Sequence, residues 1–198
     1  MSHPLMYVLG DTENKNFPLI LTIGREPNYD DVIVDKIGLI NLNEFRFMSG
    51  GVWVTAYTQI ARQFIGKEAT ASQLKSMCLS KNCSPIVFTN AFPIGISNKI
   101  VDKDRIRVHH AKIISKHISL IFSKNLINRV KLVIHHGALN TPEGNIATQE
   151  IKKHCYERSI PYCTTAFFYN GNSKSIFKEL TPYKEIIKNV FIQFKNLS

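Results

Sequence analysis

The sequence predicts an α/β protein, a three-layer α/β/α sandwich with a central parallel sheet of about four strands. Three observations predict it. Short apolar runs alternate with longer segments whose apolar residues recur at helical spacing, as strand–helix–strand units require. Three of the four apolar runs stop abruptly at Gly24, Asn90 and His135. A chain of 198 residues that is 44% hydrophobic is also long enough to bury one full core.

The elements follow in order. Leu19-Ile20-Leu21-Thr22-Ile23 is a mostly apolar run and reads as a buried strand, and Gly24 and Pro27 then force a turn. Tyr29 to Gly51 is polar and irregular. Val52–Gly66 places Val52, Ala56, Ile60 and Phe64 on one helical stripe, and a second helical piece is expected around Ala71–Leu79. Pro85–Thr89 is the second strand and ends in Asn90-Ala91-Phe92-Pro93. Asp102–Lys124 is a long helix with Ile106, Ile113, Ile114, Ile118 and Ile121 on one side. Lys131–Ile134 is the third strand and ends in His135-His136-Gly137. Thr141-Pro142-Glu143 is a helix start, with proline in the first turn, and that helix runs to about Arg158. Ile160–Thr165 is the fourth strand, and Tyr183–Phe194 is the closing helix. The chain has no internal repeat and no low-complexity segment, so residues 1–198 are expected to form a single domain.

The composition excludes several classes. The chain is too apolar to be a disordered binder, and no run approaches the roughly 20 apolar residues that span a bilayer. MSHPLMYVLGDTENKN has neither the basic start nor the apolar core of a secretion signal, so a cytoplasmic protein is expected. Cys78, Cys83, Cys155 and Cys163 form no Cys-x-x-Cys pair; they are read as reduced structural thiols rather than a zinc or iron–sulfur site.

The placement of charge points to a polyanion. Residues 1–98 hold 8 Lys and Arg against 8 Asp and Glu, whereas residues 99–198 hold 17 against 7, so the whole net charge of +10 belongs to the second half. Nucleic acid is the first candidate partner.

In a parallel sheet the carboxyl ends of the strands share one edge, and open α/β sheets place their chemistry there. That edge would gather the Gly24–Pro27 turn with its single carboxylate, Glu26, together with Asn90, the His135-His136 pair and the loop after Thr165. His135 and His136 are adjacent on a strand, so they face opposite sides of the sheet and do not share one role.

These segments, in this order, resemble the uracil-DNA glycosylase superfamily, in particular its mismatch-specific and single-strand-selective branches. The family's first motif is a strand followed by Gly-x-(Asp/Asn/Glu/Ala)-Pro-(Gly/Tyr), and here it reads Gly24-Arg25-Glu26-Pro27-Asn28. A base-stacking Phe and an aromatic-containing helix follow in the family; the segment Phe45–Trp53, with Phe47, is similar to it. Val87-Phe88-Thr89-Asn90-Ala91 resembles the strand that ends in a base-reading Asn, and Leu132–Gly137 resembles the third strand, which ends in Gly. The final His-Pro-Ser loop is not matched. Tyr162–Ser173 has its position without its His or Pro, and the interval from Glu26 to Phe47 is longer than the family's usual one.

The resemblance implies a DNA glycosylase that acts on a flipped base, as a monomer, with no cofactor and no metal. Cleaving a bond between base and deoxyribose builds positive charge on the sugar. A carboxylate beside the anomeric carbon, here Glu26, stabilises that charge and positions a water. Gly24, Pro27 and Asn28 with their turn, and the Asn90 amide, are expected to hold the departing base while Phe47 stacks on it. Tyr169, Asn170, Ser173 and Lys174, in the loop Phe168–Lys174, are expected to contact DNA, an aromatic wedging into the stack. Asn28 stands where the strict uracil enzymes carry a Tyr that blocks bulkier bases, so a larger or modified base is admitted.

Other readings of the same residues stand beside these. Phe47 and Trp53 also read as core aromatics, Asn90 as a turn cap, His135 and His136 as satisfied strand-end histidines, His109-His110 as surface, and Lys152-Lys153 and Lys184–Lys188 as solvated faces. At the level of function the rivals are a nucleoside- or nucleotide-processing enzyme, such as a deoxyribosyl transferase or hydrolase, and a non-catalytic DNA-binding module of the same fold.

Overall fold

A computed structural model of the chain describes residues 6–8, 16–24, 39–41, 64–66, 70, 73, 85–91, 103–138, 141–166 and 173–197. The elements are β1 (Met6–Val8), β2 (Leu19–Gly24), β3 (Leu39–Asn41), β4 (Ile86–Asn90), α1 (Lys103–Phe122), β5 (Val130–His136), α2 (Pro142–Glu157), β6 (Tyr162–Thr165), α3 (Ser173–Leu180) and α4 (Lys184–Leu197). They build a mixed α/β fold whose sheet runs β3-β1-β4-β2-β5-β6. The four expected strands, β4, β2, β5 and β6, are neighbours and mutually parallel.

Two strands are added to that expectation. β1 pairs antiparallel with β4 and parallel with β3, which extends the sheet to six strands and makes it mixed. Each is three residues long. A segment that short carries no readable alternation, and its strand character comes from pairing at the sheet edge. β3 lies inside the stretch read as irregular.

The sheet is covered on both faces. Every residue of β2 is buried, as a central parallel strand demands. Leu19, Leu21 and Ile23 pack in one cluster with Val87 and Val133, with Ile114, Ile118 and Ile121 of α1, and with Ala147 and Ile151 of α2. The alternate strand residues, Ile20, Leu132 and Ile134, face the other way. On that side α4 packs on β2 and β5 and α3 packs on β6, burying Ile176, Leu180, Ile187, Val190 and Phe191. At the strand-start edge Phe194 meets Phe17 edge to face, with ring centroids 5.1 Å apart. Ile113, expected on the apolar side of α1, is 41% exposed.

Local sequence signals set the helix ends. Thr141 caps α2, its Oγ1 accepting the Gly144 N–H at 3.1 Å, with Pro142 at the first helical position. Beyond α2, Ser159 adopts φ 53°, and the amides of Ile160 and Ser159 return to the carbonyls of Cys155 and Tyr156. That is the double hydrogen bond of a Schellman ending, with serine in a position glycine favours. Thr70 and Gln73 make reciprocal bonds of 2.7 and 3.2 Å between side chain and backbone, the pattern of a capping box, and Gln73 is helical; the rest of the expected helix around Ala71–Leu79 lies outside the described residues. Phe64 and Ile65 are helical, and Phe64 stacks on Phe177 of α3 at 5.1 Å.

Candidate functional site

The register of the parallel strands brings the predicted strand ends to one edge. Gly24 is level with Asn90, Ile23 with His135, and His136 with Thr165. α1, α2 and α3 each follow one of these strands, so their amino-terminal ends lie on the strand-end side and their dipoles make that side more attractive to anions.

Short hydrogen bonds stitch the edge together. The Ala91 amide donates to the Gly24 carbonyl at 2.8 Å, and the Gly137 amide to the Thr165 carbonyl at 2.9 Å. Gly137 has φ 60°, which lets the chain turn sharply after β5 without steric strain. The Ala166 amide donates to Glu179 Oε2 of α3 at 3.0 Å, and Ser175 donates to the other carboxylate oxygen at 3.2 Å. The buried Thr22 hydroxyl donates to the Val87 carbonyl at 3.1 Å.

Three buried imidazoles line this region. His135 follows Val133 on the face covered by α1 and α2, and its Nδ1 lies 3.2 Å from the Tyr162 hydroxyl. Lys152 of α2 holds its ammonium over the Tyr162 ring at 5.8 Å. His136 faces the other layer and bonds the Thr165 hydroxyl. The two adjacent histidines therefore serve different layers, as strand alternation requires. Burial lowers the pKa of His135 to about 4 and that of His136 well below its ordinary value, so both are neutral at pH 7. Burial also lowers the pKa of His117, against the pull of its backbone partner.

His117 was not among the residues singled out from the sequence. It sits on α1, is 5% exposed, and places Nε2 2.8 Å from the Asn90 carbonyl. A carbonyl only accepts, so Nε2 carries the proton. The signal was there to read: Ile114, His117, Ile118 and Ile121 share one helical stripe, with a single polar residue at a core position.

The predicted site residues fall into two groups. Gly24 ends β2 in a fully buried position, and Asn90 ends β4 half-buried. Ser173 and Lys174 are not loop residues: they open α3, with Lys174 exposed. Ser173 to Leu180 is only eight residues long, and its start was masked by the polar run before it. Glu26, Pro27, Asn28, Phe47, Tyr169 and Asn170 lie outside the described residues, as does Trp53.

Some of the described basic residues lie toward opposite edges of the sheet. The backbone of Lys103, Arg105 and Arg107 forms the first turns of α1, on the strand-end side of His117. Lys124 and Arg129 flank the turn that leads into β5, and Lys131 follows at its start. These three, with Arg158 just past α2, belong to the opposite, strand-start edge. Basic residues thus lie toward both edges of the sheet. The cause is the winding of the fold, since each connecting helix returns its carboxyl end to the strand-start edge. There Arg129 lies over the Phe17 ring at 5.4 Å and Arg158 over the Phe122 ring at 5.7 Å.

Cys155 and Cys163 are free and buried. Burial pushes their thiols up to about 12 and about 11, which leaves them un-ionised and suits them to packing rather than nucleophilic attack. Among the described residues no group of three His, Cys, Asp or Glu is placed to hold a metal ion, and no helix is long and apolar enough to cross a membrane. Comparison of the chain with protein-family models and with curated proteins gives no match.

Proposed function

We propose that the protein is a DNA glycosylase, hydrolysing the N-glycosidic bond of a flipped damaged, mismatched or modified base to leave an abasic site. One observation carries the reading. Gly24, two residues before Glu26 in the chain, is level with Asn90 at the carboxyl edge of four parallel strands, and the Ala91–Gly24 hydrogen bond joins the two strand ends. A carboxylate following that strand end, with a base-reading amide on the next strand, would suit action on one nucleotide. Glu26 stabilises the developing sugar cation and orients water. The amide of Asn90 and the turn Gly24–Asn28 hold the leaving base, and Phe47 stacks on it. Tyr169, Asn170, Ser173 and Lys174 contact the DNA strand.

The test is a panel of single- and double-stranded oligonucleotides carrying different modified bases, scored for abasic sites. Glu26→Gln keeps the shape and removes the charge; on the substrate that wild type cleaves, the rate falls by about 10²–10³-fold while DNA binding is retained. Equal rates for the two proteins would remove Glu26 from the chemistry.

A second reading, a nucleoside- or nucleotide-processing enzyme on the same sheet, is favoured by the basic residues Lys124, Arg129 and Lys131 at the edge away from this site. The two part on salt. Binding to short DNA weakens steeply with ionic strength for a DNA enzyme and is absent for a nucleoside enzyme.

A further inference from the structure

The geometry points to His117 as a positioning residue of the strand-end site, one that fixes the main chain of Asn90 and so aims its side chain. This rests on the reading of Asn90 as the residue that holds the base. In β4, Thr89 and Val87 pair with Met6 and Val8 of β1, and that described pairing does not reach Asn90. Asn90 is thus at the end of the described ladder, half-buried, and its carbonyl takes the His117 Nε2–H at 2.8 Å instead. The next residue, Ala91, is fully buried and donates its amide to Gly24. The peptide group that follows the Asn90 Cα is therefore held at both its oxygen and its nitrogen. One grip is a helix side chain 27 residues away, and the other is the end of β2, two residues before Glu26 in the chain.

The imidazole suits this task. His117 is buried on the same stripe of α1 as Ile114, Ile118 and Ile121, so its ring has little freedom to leave the bond. Nε2 carries a proton in this tautomer and would keep it on protonation, so the grip does not depend on the charge of the ring. A carbonyl left without a donor in such a place would pull the strand end toward water. Displacing a base-holding amide by even about 1 Å is enough to slow a reaction by up to about 100-fold.

The experiment compares His117→Leu, which keeps bulk and removes the donor, with His117→Gln, whose amide nitrogen can take the place of Nε2. Two readouts are made on the full chain. The first is hydrogen exchange at the Ala91 amide, with the Ala147 amide of α2 as a reference for global stability. Leu is expected to speed exchange at Ala91 and not at Ala147, and Gln to restore protection. The second is base release: Leu is expected to lower kcat by about 10- to 100-fold with KM for DNA changed little, and Gln to recover most of the rate. Unchanged Ala91 protection in the Leu variant overturns the tether whatever the activity. Lost protection with unchanged kcat and base preference overturns the positioning role. Absence of base release in the wild type defeats the glycosylase reading, and the exchange measurement still decides the tether.

Discussion

The imidazole of His136 and the hydroxyl of Thr165 meet across β5 and β6, and the histidine has no exposed surface. Thr165 Oγ1 donates its only proton to the Ala166 carbonyl at 3.1 Å. It can therefore only accept from His136, which assigns a proton to Nδ1, and burial holds the ring in its neutral form.

Acid should therefore unfold the protein earlier than its carboxylates alone would. Burial lowers the pKa of His117, His135 and His136 in the folded state, so the unfolded chain binds protons first as pH falls. Their contribution is complete above about pH 6.5 and is lost as pH drops toward about 4, the value for His135. His135 alone accounts for on the order of 3 kcal/mol across that window. Chemical denaturation at pH 7 and pH 5 should show the loss, and His135→Gln should reduce the difference between the two. A stability that is flat between those pH values would mean the histidines are not held neutral.

Ser159→Gly should stabilise the protein. Ser159 is an exposed non-glycine residue at φ 53° in the ending of α2. Relieving that conformation is worth about 1 kcal/mol, which raises Tm by roughly 2–4 °C in a domain of this size. Ser159→Val, which adds branching at the same backbone angle, should lower Tm.

Removing the α2 cap should act in the opposite direction. Thr141→Ala takes away the acceptor of the Gly144 amide and should cost about 1 kcal/mol in denaturant unfolding, with no change in m. Ile151→Ala, at a fully buried position between α2 and the sheet, should cost more, about 2–5 kcal/mol.

Charge reversal separates the two basic edges. Lys103→Glu, Arg105→Glu and Arg107→Glu change the strand-end side, and Lys124→Glu with Lys131→Glu change the strand-start side. If DNA docks over the strand ends, the first set should weaken binding strongly and lower the salt slope by about 1 for each phosphate no longer neutralised, and the second set should do little. The reverse pattern would move the DNA to the opposite edge.

The four parallel strands and the helices between them were legible in the sequence because their signals are local. Leu19–Ile23 is apolar but for Thr22, Thr141-Pro142 caps a helix by itself, and the stripe Ile114, Ile118, Ile121 repeats at the helical period. That Gly24 and Asn90 end on the same edge also follows once the strands are parallel; that they are level is set by the register. Tertiary structure decided the rest. β1 and β3 are strands only because a sheet edge pairs them, and β1 runs against β4, which no property of three residues encodes. The bond from His117 to Asn90 joins residues whose separate patterns carry no sign of each other. The basic residues after residue 99 are one block along the chain, yet Lys103 and Lys124 lie toward opposite edges in space, because each helix of a parallel α/β unit runs from one edge of the sheet to the other.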